Sequence, residues 1–63
     1  MKFYVEIGTI NGYFQYKVEG KNLRDAAINA LKLHKSKGRR IRENDVVKVF
    51  DNKTNSVKTF IPA

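Results

Sequence analysis

Hydrophobic and polar positions alternate along the first nineteen residues. Over residues 2–10, Phe3, Val5, Ile7 and Thr9 share one side, while Lys2, Tyr4, Glu6 and Gly8 share the other. That period of two marks a half-buried strand. Asn11-Gly12 follows, a strong hairpin signal because the central residues of a type I′ turn need positive φ. Alternation resumes over 13–19, with Phe14, Tyr16 and Val18 opposite Tyr13, Gln15 and Lys17. The pattern predicts a β-hairpin over 2–19.

Gly20-Lys21 interrupts the alternation and the period changes. Asn22 is a good N-cap, and Asp25, three residues on, suits the positive end of a helix. Leu23, Ala27, Ala30, Leu31 and His34 fall on one helical face, flanked by Ala26 and Leu33, which predicts a helix over 22–36. Gly38 is placed to stop it in the left-handed conformation. A third strand is expected from Val46-Val47-Lys48-Val49-Phe50. Asp51 to Asn55 reads as a turn, with Asn55 suited to positive φ. A fourth strand follows over 56–61, closed by Pro62. The expected fold is α+β: ββαββ, with one helix packed on one face of a four-stranded, mainly antiparallel sheet. A right-handed crossover would give the sheet order 2-1-3-4.

Length makes this a single domain, residues 1–63, with a basic loop over 37–45 between the helix and the second hairpin. A chain so short buries only about 60% of the surface its unfolded form exposes. It contains no cysteine, so neither a disulfide framework nor a zinc–thiolate site supports it. The N-terminus lacks a signal-peptide pattern, and no run approaches the roughly 20 apolar residues of a membrane span. A cytoplasmic location and no membrane partner are the expectation.

Charge sharpens the picture. The chain carries 13 Lys+Arg against 6 Asp+Glu, a net +7. Residues 1–31 hold four bases against three acids, and residues 43–63 hold three of each. Residues 32–42 hold Lys32, Lys35, Lys37, Arg39, Arg40 and Arg42 with no acid, so six of the seven net charges lie in eleven residues. Arginine can fork onto phosphate with two hydrogen bonds, and such a cluster would release counterions from a nucleic acid. The helix dipole accounts for lysines in the last turn but not for arginines beyond it. A solvated loop, or a surface for an acidic protein, is the competing reading.

The sheet face away from the helix is the second candidate. With Phe3, Val5, Ile7, Phe14, Tyr16 and Val18 inward, Tyr4, Glu6, Tyr13, Gln15 and Lys17 point outward. With Val47, Val49, Val57, Thr59 and Ile61 inward, Lys48, Phe50, Lys58 and Phe60 also point outward. Aromatics (Tyr4, Tyr13, Phe50, Phe60) interleaved with Lys17, Lys48 and Lys58 could stack nucleobases. The same residues could be the seam of a homodimer or plain cross-strand pairs, and the opposite register of the second hairpin would turn Phe50 and Phe60 inward.

Catalysis has little support in the sequence. Ser36 and Ser56 are the only serines and His34 the only histidine, with no second ligand at metal spacing. His34 reads as a partly buried or capping residue. No cofactor and no metal are expected. The leading expectation is a small non-enzymatic nucleic-acid-binding protein of low sequence specificity, DNA or RNA, contacting the phosphate backbone through 32–42. The alternative is a protein-binding regulator, in the style of phage or mobile-element proteins, that docks on an acidic host protein.

Overall fold

A computed structural model of the chain describes residues 1–51, 53 and 56–60. Five elements appear in the expected ββαββ order: β1 (Lys2–Thr9), β2 (Gly12–Glu19), α1 (Leu23–Ser36), β3 (Val46–Asp51) and β4 (Ser56–Phe60). The strands form one sheet in the order β2-β1-β3-β4, and each adjacent pair is antiparallel. β2 and β3 therefore run the same way with β1 between them, and α1 is the crossover that joins them.

Alternation in β1 and β2 becomes burial on the helix side. Phe3, Val5, Ile7, Tyr16 and Val18 are buried, and Val47 and Val49 of β3 complete the same layer. From the helix side come Ala26, Ala27, Ala30 and His34, three of them small enough to bring the helix axis close to the sheet. Leu33, expected on the flank of the buried face, is exposed, and Ala26 holds the buried flank position. Leu33 sits too far round the helix to reach the sheet, whereas Ala26 lies directly over it.

Three corrections concern the hairpins. First, the tight turn falls one residue earlier than Asn11-Gly12. Thr9 pairs with Gly12, so Ile10 and Asn11 form the two-residue loop, and Gly12 follows with φ +130°. Thr9 Oγ1 spans the loop, accepting from the Asn11 N–H (3.1 Å) and donating to the Gly12 carbonyl (3.0 Å). Second, β4 has the opposite facing from that expected. Phe60 pairs with Val47 and Lys58 with Val49, so both lie on the helix side, while Val57 and Thr59 lie on the open face beside Phe50 and Lys48. The pairing of Asp51 with Ser56 sets this facing. Third, Phe60 packs half-buried against the core instead of joining the open face. Ile61, Asn55 and Pro62 lie outside the described residues.

One helix cannot roof four strands. A helix is about 10 Å across and strands are about 4.8 Å apart, so its footprint covers three. α1 packs on β2, β1 and β3. The helix side of β4 is left half-covered, which is why a lysine is tolerated there, with Lys58 Nζ 5.7 Å from the Phe60 ring centroid.

Both helix ends are closed by local bonds. Asn22 Oδ1 accepts from the Asp25 N–H (2.8 Å), and Asp25 Oδ2 accepts from the Lys21 N–H (2.9 Å). At the other end the Gly38 N–H donates to the Lys35 carbonyl (2.9 Å) and the Arg39 N–H to that of His34 (3.4 Å). This is the paired 5→2 and 6→1 arrangement of a Schellman stop, with Gly38 at φ +80°. A Cβ at Gly38 would meet nothing within 4 Å, so any cost of adding one comes from the backbone alone. Gly38→Ala is expected to lower stability by about 1 kcal/mol and Gly38→Asn by less, because asparagine tolerates the left-handed region. Urea denaturation of the three proteins checks this; equal midpoints would show that the stop does not need glycine.

Candidate nucleic-acid interface

The helix stop determines where the arginines go. After Gly38 the chain turns back past the tip of the β1–β2 hairpin before entering β3. Arg39, Arg40 and Arg42 there line one open pocket of about 200 Å³ with Thr9, Ile10, Asn11, Phe14, His34 and Asp45. All three arginines are exposed. Lys32, Lys35 and Lys37 are exposed as well but do not line the pocket. The basic run thus divides into a loop half that converges and a helical half that does not.

Two contacts order the convergent half. The Arg39 guanidinium carbon lies 4.5 Å from the centroid of the Phe14 ring, a cation–π distance that holds the charge against the pocket wall. Phe14 in turn meets His34 edge-on, with centroids 5.1 Å apart. Asp45 is 2% exposed and clamps the loop from below: its Oδ2 accepts from the Arg42 N–H (2.9 Å), and its own N–H donates to the Arg42 carbonyl (3.0 Å). Short-range bonding therefore aims Arg39 and fixes the backbone of Arg42.

His34 closes the floor. It is 1% exposed, and its Nδ1 lies 2.6 Å from the Tyr16 hydroxyl. Burial holds the imidazole pKa below its usual value of 6.5, and the Arg39 charge adds to that, while Asp45 acts in the opposite direction. The neutral ring is the favoured form, and it shares one hydrogen with the Tyr16 hydroxyl through Nδ1, the tautomer deciding which of the two donates. Sequence reasoning placed His34 on the buried face but did not find its partner Tyr16. It also missed the parts played by Phe14, Asp45 and the tip residues Thr9 and Asn11. Phe14 carries no motif, and only three-dimensional proximity assigns it, whereas Asp45 bonds a backbone only three residues away, a local turn signal of the kind aspartate gives.

The open face is a different surface. Register aligns it in rows: Lys17, Tyr4, Phe50 and Val57 lie side by side, as do Gln15, Glu6, Lys48 and Thr59. Tyr13 pairs with Gly8, and its ring lies over the glycine, with Cε1 3.2 Å from where a Cβ would stand. Of the seven residues expected there, Tyr4, Tyr13, Lys17, Lys48 and Phe50 are on this face; Lys58 and Phe60 are not. Lys17 Nζ sits 5.6 Å from the Tyr4 ring centroid. Half of the expected aromatic and cationic content of β3–β4 is thus removed from any stacking surface.

Among the described residues, no group of three or more His, Cys, Asp or Glu side chains is placed to hold a metal ion. No helix there is long and apolar enough to cross a membrane. Comparison with protein-family models, curated proteins and solved structures finds no match to this chain.

Proposed function

We propose that the protein is a non-enzymatic nucleic-acid-binding domain that grips the phosphate backbone with Arg39, Arg40 and Arg42. The observation that carries this reading is their convergence on one pocket at the hairpin tip, with Arg39 laid against Phe14. Arginine can fork onto a phosphate with two hydrogen bonds, and three of them line one small concavity. Thr9 and Asn11 add neutral polar residues to the lining, and its one acid, Asp45, has an oxygen engaged by the Arg42 N–H. Among the described residues no set of side chains resembles a base-edge reader, so binding is of low sequence specificity and chiefly electrostatic. Lys32, Lys35 and Lys37 act at longer range, raising the local concentration of polyanion.

Neutralising three phosphates gives a log–log salt slope of about −2 to −3. The triple variant R39A/R40A/R42A is expected to bind short DNA or RNA at least about ten-fold more weakly at moderate salt, with a flatter slope. Its circular dichroism should match the parent, because all three side chains are exposed. Unchanged affinity would overturn the reading. NMR titration adds a local reporter. Phosphate on Arg39 offsets the charge that depresses His34, so the imidazole pKa should rise on binding.

A protein-binding role is the second reading. β2 and β4 are both sheet edges, and β2 offers eight residues of edge strand to a partner's sheet. It predicts no response to single- or double-stranded DNA or RNA, and line broadening along β2 with an acidic protein partner.

A further inference from the structure

We infer that the open sheet face is the seam of a homodimer, its two-fold axis running parallel to the strands between β1 and β3. This lies beyond the nucleic-acid reading and uses none of its arginines. Among the described residues the face has no helix over it, yet it carries large apolar groups: Tyr4 is 46% exposed, Tyr13 75% and Val57 54%. Phe50 is half-buried beside them.

The occupant follows from the order of the rows. β1 and β3 are the two central strands, so a two-fold axis along them lays β1 of one copy over β3 of the other. Tyr4 then faces the second copy's Phe50, and Glu6 faces its Lys48, each contact made twice. Lys17 meets the second copy's Val57, and Gln15 its Thr59. An axis laid across the strands through the Glu6–Lys48 row instead sets Glu6 on Glu6 and Lys48 on Lys48. Charge therefore favours the first arrangement over that one. Face-to-face sheets pack with strands within about 30°, which the natural twist supplies.

Area sets the strength. Four strands of about six residues present roughly 400 Å² per copy, from spacings of about 4.8 Å and 3.3 Å. Two copies bury roughly 800 Å² before side-chain relief is counted, below the roughly 1,200 Å² of stable specific interfaces and in the range of transient ones. The dimer is therefore reversible and concentration-dependent. It also brings both hairpin tips, and both arginine pockets, to the same end of the assembly.

Sedimentation from about 10 μM to about 1 mM tests the interface. The parent should shift from 7.3 kDa toward twice that mass. E6K and K48E each place like charges at both contacts, so each should associate at least about ten-fold more weakly than the parent. Mixing the two variants sets opposite charges against each other again at both contacts, and should restore association. If either single variant fails to fold, the double reversal E6K/K48E keeps the intrachain pair. It should then self-associate like the parent while refusing to mix with it. A parent that stays monomeric overturns the proposal. So do single variants that associate like the parent, or a mixture that stays monomeric. Oligonucleotide binding by a strict monomer would leave the arginine reading standing while sinking this one.

Discussion

Gly20→Ala is expected to remove a large share of the domain's stability. An added Cβ would stand 2.7 Å from the Ala26 backbone nitrogen and 2.9 Å from its Cα. Neither atom can swing aside, because Ala26 is fully buried in the first turns of α1 and donates its N–H to the Asn22 carbonyl (3.0 Å). Relief requires lifting the helix from the sheet, and that helix is what covers the inner side of β1. Overpacking of this kind costs about 1–3 kcal/mol or more. A domain of this length has roughly 3–9 kcal/mol in total. Gly8→Ala is the matched control. Its Cβ would meet the Tyr13 ring at 3.2 Å, and an exposed tyrosine can rotate, so the loss should stay below about 1 kcal/mol. Thermal melts of the two variants decide the matter. A Gly20→Ala melt that overlays the Gly8→Ala melt would show that the helix–sheet approach is looser than described.

The buried His34–Tyr16 pair should make stability depend on pH near neutrality. Burial lowers the folded-state pKa of His34, so between that value and 6.5 the unfolded chain binds more protons than the folded one. The stabilising contribution is complete above 6.5 and is lost as pH falls through the folded-state pKa. The midpoint of thermal unfolding should therefore drop between neutral pH and mildly acidic pH. His34→Leu removes that drop at the cost of a stranded Tyr16 hydroxyl, about 1–3 kcal/mol. Adding Tyr16→Phe removes the stranded group, and the double variant should recover most of the loss. Failure of the double variant to recover would assign the cost to packing against Phe14 instead. An unchanged pH profile in His34→Leu would move the titration to another group.

Much of this was legible in the chain. The alternation of Phe3, Val5 and Ile7 and of Phe14, Tyr16 and Val18 marks the inner face because a strand presents successive side chains to opposite sides. Asn22 and Gly38 mark the helix ends because each solves a local bonding problem that few residue types can solve. The arginine cluster was visible as charge. The turn was not legible to the residue. Pairing Ile7 with Phe14 or with Tyr16 keeps the same residues inside, so alternation does not choose between registers two residues apart. The facing of β4 was missed for a related reason. Its inner side lies beyond the helix footprint, so the usual penalty for pointing Lys58 inward and Val57 outward is weak there.

Local chemistry, then, can be read from the order of residues alone. The succession of elements, the inner face of β1 and β2, the helix and its caps, and the confinement of charge to residues 32–42 all depend on neighbours a few positions apart. Which of those charges meet is a property of the folded chain. Arg39, Arg40 and Arg42 converge because the Gly38 turn carries the chain past the hairpin tip. There Phe14, more than twenty residues away in sequence, offers a ring to Arg39. Contacts of that separation carry no periodic signature, since their partners are set by the sheet order and by how far one helix can reach across four strands.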